Sequence, residues 1–157
     1  MEKIAIFVDV QNIYYTTRTK FNRNFDYNKF WAQVTKNRKL VTANAYATTK
    51  NDKKQTEFQN ILKAIGFVVK LKPFIARSDG SSKGDWDVGI AIDVLKNAPK
   101  VDTIVLASGD GDFDLLLKEI RIQHRTNTEV FGVKELTAAS LINQSTKFVE
   151  IDENLLL

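Results

Sequence analysis

Asp110 and Asp112 stand two residues apart on the turn Ser108-Gly109-Asp110-Gly111-Asp112, directly after the apolar run Thr103-Ile104-Val105-Leu106-Ala107. The run reads as a buried strand that delivers acid to a sheet edge, and the glycines let the turn take tight or left-handed conformations. Carboxylates crowded there repel each other unless they are protonated or share a cation, so a divalent metal is the economical explanation. The run Lys3-Ile4-Ala5-Ile6-Phe7-Val8 ends in the same way at Asp9, with Asn12 three residues on. If both runs are parallel strands of one sheet, Asp9, Asp110 and Asp112 converge at one edge, where open α/β sheets bind their ligands. The donors are carboxylate oxygens: there is no cysteine, and His124, the one histidine, sits among Arg121, Gln123 and Arg125 and reads as a solvated surface residue. Such oxygens favour hard cations, Mg2+ or Mn2+, which lower the pKa of a water, orient it against a phosphodiester and offset charge in the transition state.

Further acids come from Gly84-Asp85-Trp86-Asp87-Val88-Gly89-Ile90-Ala91-Ile92-Asp93-Val94-Leu95, a segment otherwise apolar almost all round, as a mostly buried helix would be. Asp85 reads as an N-terminal cap as readily as a metal ligand. Asp87 lies in the first turn, where the helix would enter the site. Asp93 stands about 9 Å further along the axis, so it need not share an ion with Asp87, and among apolar neighbours it needs a partner to stay charged.

The elements that must position these groups follow from hydrophobic periodicity. Strands are expected near 3–9, 40–47, 67–72, 102–107, 128–133 and 147–151, and helices near 26–37, 54–65, 85–97, 113–123 and 136–143. This alternation predicts an α/β fold with a mostly parallel sheet covered on both faces and right-handed crossovers. Gly66 and Asn97-Ala98-Pro99 read as helix stops. The polar connection Arg77-Ser78-Asp79-Gly80-Ser81-Ser82-Lys83-Gly84 reads as mobile. The terminal Leu155-Leu156-Leu157 reads as a docking or frayed end.

Length and composition bound the function. At 157 residues, 43% hydrophobic and 27% charged, the chain fits one domain over 1–157. Met1-Glu2-Lys3-Ile4 is too short and acidic for a signal peptide, and no apolar run approaches the roughly 20 residues that span a bilayer. A cytoplasmic location without membrane contact is therefore expected. The net charge of +4 is uneven. Arg18, Lys20 and Arg23 fall in the acid-free segment Tyr14–Asn24, and a basic, aromatic-bearing surface beside an acidic pocket suits a polyanion cut at a metal. Lys50, Lys53 and Lys54 are further candidates for backbone contacts. Tyr14, Tyr15 and Trp86 are candidates for base stacking, with a core role as the alternative for each.

Three rival folds fit less well. A dinucleotide site wants Gly-x-Gly-x-x-Gly after the first strand, where Asp9-Val10-Gln11-Asn12 has no glycine. A phosphotransferase of the haloacid dehalogenase type wants a second acid at position 11, which is Gln11, and a receiver domain wants one near Leu71-Lys72-Pro73.

Phe7-Val8-Asp9-Val10-Gln11-Asn12, then Lys83-Gly84 with Asp87 and Asp93, then Ser108-Gly109-Asp110-Gly111-Asp112-Phe113, resembles the NYN domain family of the PIN-like nuclease superfamily, in order and over nearly the whole chain. The resemblance implies a three-layer, PIN-like α/β/α sandwich, divalent-metal binding and RNA phosphodiester cleavage. By that likeness Asp9, Asn12, Asp87, Asp110 and Asp112 are the catalytic residues. Asp9, Asp87, Asp110 and Asp112 hold the metal, with Asp93 as a recurring helix acid that could join them. Family members often place the acid directly after Lys-Gly-x; here both Asp85 and Asp87 are available, and the spacing to Asp93 favours Asp87. Lys83 is a candidate phosphate contact or a solvated loop lysine. A metal-dependent ribonuclease is the leading expectation. A noncatalytic RNA-binding or regulatory module, and a metal-dependent phosphatase or DNA nuclease, are the alternatives, and RNA over DNA rests on the resemblance alone.

Overall fold

Six strands, the central two apolar and buried over 4–8 and 104–107, line up side by side in the computed structural model, which describes every residue except 50, 51, 74, 77–81 and 84, and the backbone alone at 73, 75, 76, 82 and 83. In chain order the elements are β1 (Lys3–Asp9), α1 (Val10–Phe21), α2 (Tyr27–Thr35), β2 (Lys39–Thr49), α3 (Lys53–Ile65), β3 (Val68–Pro73) and the short pair β4 (Ile75–Ala76) and β5 (Ser82–Lys83). They continue with α4 (Asp87–Asn97), β6 (Thr103–Ala107), α5 (Asp114–His124), β7 (Asn127–Gly132), α6 (Ala139–Gln144) and β8 (Lys147–Glu150). The main sheet runs β3-β2-β1-β6-β7-β8, and every neighbouring pair in it is parallel. Parallel strands need helical crossovers, and the helices cover both faces. The result is the three-layer α/β/α sandwich expected.

Side-chain parity along β1 divides the core. Ile4, Ile6 and Val8 pack with Ile13 of α1, Phe30 and Val34 of α2 and Leu62 of α3, whereas Ala5 and Phe7 pack with Ile90 and Val94 of α4, Leu117 and Ile120 of α5 and Leu141 of α6. Ile4 through Val8 are fully buried. Each large apolar side chain removed from water there stabilises the fold by roughly 1.5–3 kcal/mol. The chain moves outward from β1 to β2 and β3, then returns to lay β6 on the other flank of β1. That reversal opens a crevice beyond the carboxyl ends of β1 and β6, the place where doubly wound sheets bind ligands.

Helix α1 departs from the sequence expectation, which held no helix before 26. Its Tyr14-Tyr15-Thr16-Thr17 run has low intrinsic helix propensity, and tertiary contacts override it. Val10, Ile13, Thr16 and Thr17 form the buried stripe, and the Thr16 and Thr17 hydroxyls donate back to the Asn12 and Ile13 carbonyls at 2.9 and 2.8 Å. Helix α4 departs too. Ile90 and Val94 are buried, but Val88, Ile92 and Leu95 are 73, 47 and 41% exposed, because the helix covers only one face of a sheet. Leu95, with Leu115 and Ile122 of α5, borders an open groove.

Gly66 ends α3 at φ 135°, its N–H donating to the Leu62 carbonyl, and α4 stops at Asn97 before the Ala98–Lys100 turn. Of the connection read as mobile, residues 77–81 and 84 lie outside the described residues, while Ser82–Lys83 pairs antiparallel with Ile75–Ala76. The terminal leucines dock: Leu155 and Leu156 are buried, and the Leu157 N–H donates to the Asn24 carbonyl at 2.9 Å. No helix among the described residues is long and apolar enough to cross a membrane.

Candidate metal centre

Asp9 is both the last residue of β1 and the N-cap of α1. Its Oδ1 accepts from the Asn12 N–H at 3.4 Å and its Oδ2 from the Ser108 hydroxyl at 3.2 Å. The Ser108 Oγ in turn accepts from the Asp110 N–H at 3.2 Å, so one buried hydroxyl ties the ends of β1 and β6 together. Asn12 Oδ1 accepts from the Gly109 N–H at 2.8 Å, a second clasp between α1 and the same turn. Both clasps hold the acids rather than adding charge.

The glycine turn does not use left-handed backbone. Gly66 is the one glycine with positive φ among the described residues. Gly109 is required for close approach instead, because a Cβ there would sit 2.8 Å from the Leu136 carbonyl oxygen. Asp110 Oδ1 accepts from the Asp112 N–H at 2.9 Å and so caps the Gly111–Phe113 turn that leads into α5.

Asp87 arrives on a third element. The cap residue of α4 is Trp86, not Asp85 as one reading of the sequence had it, and it makes no side-chain cap bond. Trp86 is fixed by other means: its indole N–H donates to the Ala47 carbonyl at 2.9 Å, and its ring meets the Tyr46 ring edge-on at 5.4 Å. Asp85 is exposed and stays in the acidic surroundings as a wall of the cleft.

Carboxylate oxygens of Asp9, Asp87 and Asp110 lie within 4.8 Å of one another. They line an open cleft of about 260 Å3 together with Gln11, Asn12, Tyr15 and Asp85. Burial raises the Asp9 carboxyl to about 6, with the Asp110 and Asp85 charges adding to the rise against hydrogen bonds from Asn12 and Ser108. Asp87 rises further, to about 7, through burial first, then the Asp110 charge and hydrogen bond, then Asp85 and Asp9. Paired acids that resist ionisation in this way are the complement of a cation. The donor set, all oxygen and formally trianionic when ionised, fits Mg2+ or Mn2+.

Two predicted acids stand apart from this cluster. Asp112 is exposed on the same turn and borders the groove between α4 and α5. Asp93 lies deeper in α4, where Lys70 Nζ pairs with its Oδ2 at 2.5 Å and the Tyr46 hydroxyl donates to the same oxygen at 2.6 Å. Burial works against its charge, but these two hydrogen bonds outweigh that cost and hold the carboxyl below its ordinary range. This is the partner that the sequence required for Asp93.

Of the predicted nucleic-acid contacts, Arg18 is exposed on α1, Lys20 pairs with Glu135 at 3.3 Å, and the Arg23 Nε–H donates to the Leu157 carbonyl at 2.7 Å. Lys53 and Lys54 are exposed at the start of α3, while Lys50 and the Lys83 side chain lie outside the described residues and side chains. Sequence reasoning gave no role to Ser108 or Gln11. The signal for Ser108 was its place between a buried strand and an acid. For Gln11 it was the helix that the propensities hid.

The NYN domain sequence profile matches residues 3–152. The protein LabA of Synechococcus elongatus, named for low amplitude and brightness, is 28% identical over 96% of this chain and 84% of its own length. The crystal structure of a Vibrio parahaemolyticus protein of unknown function is 52% identical, with a TM-score of 0.95 over 99% of this chain and 96% of that one. Giardia lamblia ribokinase, 12% identical at a TM-score of 0.50 over 94% of this chain and 57% of its own, shares the layered α/β fold alone.

Proposed function

The chain belongs to the NYN domain family, and from that premise we propose that it is a small cytoplasmic metal-dependent ribonuclease acting as one domain. The observation that carries the reading is the meeting of Asp9, Asp87 and Asp110, from three separate elements, at the switch point of a parallel sheet. These three would hold Mg2+ or Mn2+. When bound, such an ion supplies a water of lowered pKa and positive charge against the phosphodiester.

The chain's own residues do the rest. Ser108 orients the Asp9 carboxylate by donating to Oδ2, which leaves Oδ1 toward the α1 turn. Asn12 fixes the glycine turn against α1, so Asp110 keeps its spacing from Asp9. Lys70 and Tyr46 anchor α4 through Asp93, and Trp86 locks its first turn, which sets Asp87. Asp112, exposed beside Asp110, is proposed as a further ligand from the rim, and Arg18 and Lys83 as phosphate contacts.

The test is cleavage of end-labelled single-stranded RNA and DNA in Mn2+, Mg2+ or chelator, with Asp87→Asn alongside. Metal-dependent cutting of RNA, lost in the variant, supports the reading. Cutting confined to DNA turns it into a DNA nuclease. Bound but uncut RNA makes the chain a noncatalytic RNA-binding module.

A further inference from the structure

The chain's four tyrosines divide sharply: Tyr27 and Tyr46 are 8 and 1% exposed, whereas Tyr14 and Tyr15 are 59 and 66% exposed. The core alternative raised for them by the sequence is thereby removed. Tyr15 is also a wall of the acidic cleft, one helical turn along α1 from Gln11, another wall. The buried stripe of α1 runs through Val10, Ile13, Thr16 and Thr17, so Gln11, Tyr15 and Arg18 follow one another on its outward side.

We propose that Tyr15 is the stacking platform of a subsite for an unpaired nucleobase, next to the phosphate that the carboxylate cluster addresses. This subsite rests on the nucleic-acid reading above and narrows its substrate to single strands. The cleft, at about 260 Å3, is smaller than the roughly 300–1,000 Å3 of pockets that enclose small ligands, and its polar walls are Asp9, Asp85, Asp87, Asp110, Gln11 and Asn12. It has room for a phosphate and its counter-cation, and apart from Tyr15 its walls carry only carboxylate and amide side chains, none with a flat apolar face for a base. The base of that nucleotide is therefore placed at the rim, where Tyr15 is the aromatic residue among the described walls of the cleft. A tyrosine ring gives a rigid face at little entropic cost, and every base has a π-face to lay on it. A base inside a duplex has both faces covered by its neighbours. Gln11, exposed beside the ring, offers a donor and an acceptor to the base edge, and Arg18, one turn beyond, can meet the next phosphate.

Binding is measured by fluorescence anisotropy with a labelled 12-nucleotide single-stranded RNA and the same sequence closed into a duplex, in Mn2+. All proteins carry Asp110→Asn, so that cutting does not enter the reading. On this background single strand should bind more tightly than duplex, Tyr15→Ala should weaken single-strand binding about tenfold, and Tyr15→Phe should stay within about twofold of its parent. The salt dependence should be unchanged in Tyr15→Ala and shallower in Arg18→Ala, which separates a lost stack from a lost phosphate contact. Tyr15→Ala binding as tightly as its parent, duplex binding as tightly as single strand, or no binding of the single strand would each overturn the subsite. Wild-type protein lacking cleavage while these binding results hold would remove the nuclease reading and leave the subsite standing.

Discussion

At the scale of residues, the site is a balance of repulsions held in place by neutral groups. Asp9 and Asp87 titrate near 6 and 7 because burial and neighbouring acids penalise their charge. A carboxyl raised in the folded state contributes stability that is present below its unfolded value near 3.8 and lost as the pH rises through 6 to 7. Without divalent ions, the melting temperature should therefore fall between about pH 4 and pH 8 through these groups, as followed by circular dichroism. Mn2+ binds the ionised form, so at a hundredfold excess over its Kd it should raise the melting temperature by roughly 5 to 10 °C at pH 8 and by much less at pH 5. Asp87→Asn should remove one repelling charge, raise the metal-free melting temperature at pH 8 and abolish the Mn2+ response. A variant that kept the full response would exclude Asp87 as a ligand. Asp9 and Asp110 were legible at this scale because each ends a recognisable apolar run. The work of Ser108 and Asn12 was not, since hydrogen bonds at |i−j| of 99 and 97 leave no trace in local sequence.

At the scale of elements, α4 must deliver Asp87 at a fixed depth. Gly89 permits this, because a Cβ there would come within 2.6 Å of the Trp86 ring that covers the helix start. Gly89→Ala should cost about 1–3 kcal/mol in urea denaturation by overpacking, and should weaken Mn2+ binding by calorimetry as the first turn is displaced. Asp93→Asn should weaken Mn2+ binding less than Asp87→Asn does while lowering stability, because it loosens the hold of Lys70 and Tyr46 on α4 without touching the cluster. Equal losses of metal affinity in the two variants would instead place Asp93 among the ligands. The expected strand and helix alternation is present, since apolar runs that must be buried on both sides announce a parallel sheet. Helix α1 was hidden because its aromatic and β-branched residues are poor helix formers, and only the surface it covers makes it helical.

At the scale of the whole molecule, the chain closes on itself. The segment ending in Leu155-Leu156-Leu157 lies beside the start of α2, where Asp26 N–H donates to the Leu155 carbonyl at 2.8 Å and Phe25 bridges to Leu156. Leu156 is 2% exposed within the core that supports α1, α2 and α3. Leu156→Ala should cost about 2–5 kcal/mol by thermal or urea denaturation, and wild-type stability in that variant would show that the segment does not dock in solution. Arg23 belongs to this closure through its bond to Leu157. The positive charge available to a polyanion is correspondingly narrower than the count of basic residues suggests.

The sequence by itself determined the layered α/β plan, the family likeness and the two strand ends that carry Asp9 and Asp110. Burial period and turn chemistry are local properties, readable within a dozen residues. The convergence of Asp9 and Asp110 was expected from the sequence, and tertiary structure decided which of the remaining acids join them. Asp87 joins Asp9 and Asp110 while Asp93 is taken by Lys70 and Tyr46 and Asp112 faces outward. It also decided that Tyr15 stands at the cleft, because distances between side chains on separate elements are set by strand order and helix packing.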